Sequence, residues 1–348
     1  MKKTKSSFPI ELILIILSLL MFGVYILFVR YYYARILETT ENETGASYRT
    51  YSRQYEMIAD SRSNTFWQAL YARAAEKAAE ADAYVSLNQT GWNTAYDKLD
   101  YIDMFIASQV DGIILEYNGE EGLAEKIDEA VAQGIPVVTI INDPNRTQRQ
   151  SFVGVNDYQL GIAYGGEVAR LADENTHNIL VLSNREKELE KNQMYAQIYK
   201  AVTEAHPGQN IRVKEQNLNS RGQFDVEEAV RNIFQSVEGM PEILVCLDEV
   251  TTECAYQAMV DFNMVGDVKI IGFYTSDTIL DAVRKGLIPV TIYMDADQIG
   301  TYCIEALTEY AETGRSNTYY TVDLHSLTAA DLTENKEKEA SSGEVQDG

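Results

Sequence analysis

Histidine, cysteine, proline and tryptophan are scarce in this chain of 348 residues, at three, three, six and two. The histidines, His177, His206 and His325, stand far apart, and no HExxH, GxSxG, Walker or GxGxxG pattern occurs. A metallohydrolase, a serine hydrolase and a phosphate cradle are therefore not legible, and neither enzyme chemistry nor a metal or cofactor is expected. Cys246, Cys254 and Cys303 are odd in number, form no CxxC and each sit in an apolar run. They read as buried thiols, not as a disulfide or a metal site. Basic residues are also short: 29 against 53 acidic, a formal net charge of -24. Five of the basic residues fall before residue 36 (Lys2, Lys3, Lys5, Arg30, Arg35), beside one acid, Glu11, so the chain beyond carries -28. So acidic a surface repels phosphate backbones, which makes nucleic acid a poor partner and solubility the plain reading. Glu120-Glu121 and Glu227-Glu228 read as solvated helix surface; Asp248-Glu249, at a strand end, fits ligand binding as well as chemistry.

One long apolar run is present. Leu12–Val29 holds 18 residues without a charge, which as a helix would span about 27 Å against a hydrocarbon core of about 30 Å. A cleaved signal peptide has the same basic start and apolar centre, but it needs small residues at its exit. Here the exit reads Val29-Arg30-Tyr31-Tyr32-Tyr33, with no cysteine nearby for lipid attachment. A retained transmembrane helix is the favoured reading, with its lysine-rich start in the cytoplasm. Residues 1–30 are then the cytoplasmic N-terminus and membrane anchor, residues 31–50 a stalk, and everything after it extracytoplasmic.

From Tyr55 onward, short apolar runs alternate with helical stretches, the rhythm of parallel α/β architecture. Strands are expected at Tyr55–Asp60, Ala83–Leu87, Gly112–Glu116, Pro136–Ile141 and Phe152–Val155. A second set follows at Ile179–Ser183, Ile211–Gln216, Ile243–Leu247, Lys269–Phe273 and Val290–Tyr293. Among the intervening segments, Phe66, Leu70, Ala74 and Ala78 repeat at helical spacing. Two successive five-strand units imply two similar lobes, whose facing strand ends would make a cleft. Residues 326–348 read as a disordered acidic tail; its last 18 positions, 331–348, hold six acids and two lysines.

Several segments resemble the type I sugar-binding proteins of bacterial ABC transporters, whose fold is shared with the ligand domains of lactose-repressor-type regulators. Val110-Asp111-Gly112-Ile113-Ile114-Leu115 resembles the family's third strand, and Gly134-Ile135-Pro136-Val137-Val138 its helix-to-strand turn. Phe152 to Gly161 resembles the hinge into the second lobe, Lys269-Ile270-Ile271-Gly272-Phe273 a late strand, and Asp297-Gln298-Ile299-Gly300 a late helix start. The turn makes physical sense, since Gly134 supplies left-handed geometry and Pro136 fixes the strand entry. The resemblance implies a two-lobed type I periplasmic-binding fold behind one transmembrane helix. It implies three hinge crossings, near Asn156, Met294 and Asn317. The N-terminal lobe would comprise residues 51–156 plus 295–317, and the C-terminal lobe 157–294 plus 318–325.

Family members stack a sugar ring on aromatics and fork hydrogen bonds to its hydroxyls. Ser63-Asn64-Thr65-Phe66-Trp67 resembles the turn after the first strand, which implies that Asn64, Phe66 and Trp67 line the cleft, although Phe66 also suits a core. The polar fork is altered. The family's Asp positions read Ile140-Ile141-Asn142-Asp143 and Tyr274, its Asp-Asn pair is inverted as Asn156-Asp157, and its arginine falls on Met194-Tyr195. Asp248 remains but follows Leu247, and the late Gln position is Met294. Arg221 is either a bidentate donor or a surface arginine at a helix start. The implied ligand-binding set is thus Asn64, Phe66, Trp67, Asn142, Asn156, Tyr195, Arg221, Asp248, Tyr274 and Met294. Two functions share this fold: ligand capture for an ABC permease, or ligand sensing relayed to a membrane histidine kinase.

Overall fold

The computed structural model describes residues 50–60, 65–90, 96–144, 146–183, 193–218, 223–236 and 240–333. The anchor and all but the last residue of the stalk lie outside them, as do Asn64 and Arg221. Among the described residues no helix is long and apolar enough to cross a membrane.

Two six-stranded sheets are built to one plan. The first contains β1 (Arg53–Asp60), β2 (Ala83–Thr90), β3 (Gly112–Tyr117), β4 (Val137–Ile141), β5 (Ser151–Gly154) and β11 (Tyr319–Thr321), in the order β11-β5-β4-β3-β1-β2. The second contains β6 (Asn178–Ser183), β7 (Arg212–Asn217), β8 (Ile243–Cys246), β9 (Lys269–Phe273), β10 (Val290–Met294) and β12 (Leu324–Leu327), in the order β12-β10-β9-β8-β6-β7. All pairings are parallel except β10 with β12. Parallel strands are covered on both faces and need apolar residues at successive positions. Ile243 to Cys246 are accordingly all buried, as are Val137 to Ile140. The expected strands of both sets thus form, Lys269–Phe273 as expected and the others with ends shifted by one to three residues.

Helices α1 (Thr65–Glu80), α2 (Lys98–Ser108) and α3 (Leu123–Ala132) cover the first sheet. Beyond them run α4 (Asp157–Leu171), α5 (Gln193–Ala205), α6 (Gln223–Gln235), α7 (Glu249–Asp261), α8 (Asp277–Arg284) and α9 (Ala296–Thr313). Asp97 and Asp100 cap α2 reciprocally, each carboxylate accepting from the other's backbone N–H at 2.9 and 3.1 Å. Gly134 stands at φ +87° just past α3, as the turn requires. Leu70, Ala74 and Ala78 of α1 are all fully buried.

The last segment corrects two expectations. Tyr319–Thr321 pairs with β5 of the first sheet, so the third crossing falls at Val322-Asp323 and not near Asn317. The cause is side-chain chemistry at the free edge of β5. Ser151 Oγ donates to Asn317 O at 2.6 Å, and the Tyr319 ring lies 5.2 Å from Phe152. A three-residue strand is too short to announce itself by periodicity. Nor does an unstructured tail begin at residue 326: β12 runs to Leu327, a helical turn follows, and Leu332 packs on the core.

The crossings are tied to one another. The Gln298 amide donates to Asp323 Oδ2 at 2.7 Å and accepts from Asp323 N at 2.9 Å. Asp295 N donates to Asp323 O at 3.1 Å, and Val322 N donates to Gly154 O at 3.2 Å. This hinge joins two lobes that fold back to face each other.

Candidate functional site

The C-terminal ends of the two sheets bring aromatic rings together across the lobes. Phe66 and Trp67, in the first turn of α1, are 4% and 2% exposed, with ring centroids 5.6 Å apart, edge to face. Phe66 reaches the other lobe directly: its centroid is 4.6 Å from that of Tyr274. Tyr274 lies 5.5 Å from Phe273, which lies 6.5 Å from Tyr164 on α4. The Tyr164 hydroxyl donates to Cys246 O at 3.0 Å. Trp67, Phe66, Tyr274, Phe273 and Tyr164 thus form one column of aromatic rings from one lobe to the other, at separations where ring pairs attract.

Tyr274 keeps its place in that column at the expense of a strained backbone. Its φ is +83°, a region that favours glycine, with a cost of about 1–3 kcal/mol for another residue. Two hydrogen bonds hold it there: its N–H donates to Ile292 O at 2.8 Å, and its carbonyl accepts from Thr291 Oγ1 at 2.7 Å. The first lobe has a counterpart. Ile141, at the end of β4, stands at φ +73°, rare for a β-branched residue. β4 and β9 hold the same place in their sheets. Left-handed residues therefore stand at the end of the same strand in both lobes.

The polar members of the set are engaged locally. Asn156 is the N-cap of α4 and accepts from Gln159 N at 2.9 Å. Asp248 is the N-cap of α7; its two oxygens accept from Thr251 N at 2.8 Å and Thr251 Oγ1 at 2.7 Å. Asn142 donates to Tyr117 O at 3.0 Å. The Tyr195 hydroxyl is turned to Val213 O at 2.7 Å, and burial, followed by nearby Tyr199 and Glu215, pushes its pKa up. Met294 ends β10 and is 3% exposed. Phe66 thus contacts both Trp67 and Tyr274, with Met294 buried in the same core cluster. The short polar side chains serve helix and loop ends, a use their sequence positions already permit. The strain at Ile141 and Tyr274 carried no sequence signal, since neither residue type favours a left-handed backbone.

The histidines are dispersed. His206 Nε2 is 2.9 Å from Ala169 O, His325 is 3.7 Å from Asp295, and His177 is exposed. Among the described residues no cluster of His, Cys, Asp or Glu is arranged to hold a metal ion.

Known proteins share this architecture. The D-apiose import binding protein of Paraburkholderia graminis is 26% identical over 259 residues, covering 74% of this chain and 81% of its own. GanP, a glucose-galactose binding protein from Geobacillus stearothermophilus, superposes with a TM-score of 0.67 at 18% identity, over 80% of this chain and 98% of that one. The XylFII-LytSN complex contains a chain matched at a TM-score of 0.63 and 24% identity, over 80% of this chain and 98% of that one. At such identities the solved structures establish the fold. The periplasmic binding protein domain matches residues 55–316. With two parallel sheets, a threefold-crossed hinge and facing strand ends, the chain belongs to the periplasmic binding protein family, in its type I form.

Proposed function

We propose that this protein captures a small solute, a sugar or a sugar-derived compound, between its lobes for an ABC-type permease. The observation that carries this reading is the Phe66–Tyr274 contact, where aromatic rings of the two lobes meet at a tilt of 56°. A ring-shaped ligand that parted these side chains would exchange one aromatic contact for two. Relatives whose names state sugar ligands support the class: D-apiose for one and glucose or galactose for another. The grip differs from simple hydroxyl recognition. Ile141, Leu247 and Met294 offer no polar side-chain atom, and a sugar hydroxyl left unpaired in a closed cleft costs about 1–3 kcal/mol. A ligand with an added planar or apolar group, such as a nucleoside or glycoside, suits this lining better than free ribose, glucose or galactose. Residues 1–30 hold the protein to the membrane as a single span, with the binding lobes outside the cytoplasm.

A second reading has its own support. XylFII has been solved in complex with LytSN, so a protein of this fold can also bind a second protein. In this reading closure of the lobes around the ligand is sensed by a membrane histidine kinase, and the cleft works identically.

The test is a thermal-shift screen of the purified full chain against pentoses, hexoses, glycosides and nucleosides. A ligand at 100 times its dissociation constant adds about 2.7 kcal/mol of stability. Wild type should respond to a member of this panel, and Phe66→Ala and Tyr274→Ala should abolish the response. Shifts that survive both substitutions would place the ligand elsewhere.

A further inference from the structure

A second recess lies away from the aromatic column, on the α2 side of the first sheet. β1 alternates its faces: Tyr55, Met57 and Ala59 join the core under α1, while Ile58 joins the one under α2. Glu56 shares the face of Ile58, and its register partner on β3 is the fully buried Ile113. A carboxylate therefore occupies an apolar sheet position, only 5% exposed. It forms the floor of a depression of about 440 Å³, walled by Gln54, Ser86, Asn88, Tyr96, Tyr101 and Met104.

Three neutral donors converge on it. Gln54 Nε2 donates to Oε1 at 2.6 Å, Asn88 Nδ2 donates to Oε2 at 2.6 Å, and Ser86 Oγ also donates to Oε2. These bonds fix the carboxylate but bring no countercharge, and its partners among the described residues are all neutral. A buried ion without a counter-ion costs several kcal/mol, whereas an apolar side chain here would simply extend the core. The rim is aromatic and open: Tyr96 is 51% exposed with its ring 6.0 Å from Tyr101, and Met104 is 37% exposed. A carboxylate beneath a rim of tyrosine rings offers an organic cation both Coulomb attraction and ring contacts. Anions are repelled. Metal ions need more ligands than the single carboxylate supplies. The donors that would grip a sugar hydroxyl are already committed to Glu56.

We propose that this recess is a binding site for a small organic cation, an ammonium or guanidinium group on a short apolar stem. It stands apart from the interlobe cleft, and its test is independent of that reading. The experiment is calorimetric titration of the full chain with agmatine, putrescine and the neutral analogue 1,4-butanediol. Agmatine or putrescine should bind at one site per chain, butanediol should not, and Glu56→Gln should weaken binding at least tenfold. Glu227→Gln, at an exposed acid on α6, should leave binding unchanged, which separates the site from the general pull of an acidic protein. If Glu56→Gln does not fold, Tyr96→Ala on the rim should weaken binding severalfold. Absence of binding by both cations at millimolar concentration would overturn the proposal. Equal binding by wild type and Glu56→Gln, or by wild type and Tyr96→Ala, would overturn it too.

Discussion

Adding one methyl group at either of two helical glycines should shift stability in opposite directions. Gly300 sits where α9 crosses α1. A Cβ built there meets Leu70 O at 2.5 Å, Ala74 N at 3.0 Å and Arg73 Cβ at 3.2 Å. Carbon and oxygen in close contact stand about 3.3 Å apart, so α9 must retreat by about 0.8 Å. The atoms met are mostly helix backbone and cannot swing aside, which places the cost near the upper end of the 1–3 kcal/mol typical of overpacking. Alanine recovers about 1 kcal/mol of helix propensity, leaving a net loss of about 2 kcal/mol. At about 2 °C per kcal/mol for a chain of this size, the melting temperature of Gly300→Ala should fall by roughly 4 °C. Gly166 on α4 has no atom beyond its chain neighbours and its own helix backbone within 4 Å of its Cβ position, so Gly166→Ala should gain about 0.5–1 kcal/mol and raise the melting temperature by roughly 1–2 °C. Thermal unfolding followed by circular dichroism measures both. A neutral or stabilising Gly300→Ala would refute the packing assigned to α1 and α9, and with it the support behind Phe66 and Trp67.

Three further outcomes follow from other parts of the chain. Tyr319 and Tyr320 are both pushed up to about 12, chiefly by burial, with Asp143 and Asp157 adding to the first and Glu309 to the second. Their folded values exceed the ordinary value of 10, so their contribution is complete below pH 10 and is lost as pH rises through 12. The urea midpoint should fall over that window, and less steeply in the Tyr319→Phe/Tyr320→Phe double variant; equal slopes would contradict the assignment. Burial raises the Cys246 and Cys303 thiols well above their usual range, so neither should react with a thiol reagent at pH 8 until the chain is unfolded. Rapid native labelling of either would expose an error in the core. Residues 1–30, proposed above as a membrane anchor, should stay attached, and N-terminal sequencing that begins after residue 29 would show cleavage instead.

Most of the fold was legible because parallel strands buried on both faces write themselves as unbroken apolar runs. Val137 to Ile141 and Ile243 to Cys246 needed no tertiary knowledge. β11 was missed because an edge strand of three residues, held by Ser151 and Phe152 far back in the chain, has no local pattern. Of the site, Phe66 and Trp67 could be placed from their turn, and Tyr274 from the strand it follows. What the sequence could not disclose was that Phe66 and Tyr274 touch, or that Tyr274 and Ile141 adopt left-handed backbone. The contact depends on the approach of the lobes, and the Tyr274 backbone is held by hydrogen bonds from β10. Glu56 was legible in principle, as a charge inside Tyr55-Glu56-Met57-Ile58-Ala59, but only the register with Ser86 and Asn88 gives it meaning.

The binding claim is tested most directly by calorimetry of the full chain and its Trp67→Ala variant against free monosaccharides, glycosides and nucleosides. The tightest ligand should carry a planar or apolar group, and it should lose at least tenfold in affinity on Trp67→Ala, a change of about 1.4 kcal/mol. Ribose, glucose and galactose should bind weakly or not at all. Micromolar binding of a free monosaccharide, undiminished by Trp67→Ala, would contradict recognition by ring stacking.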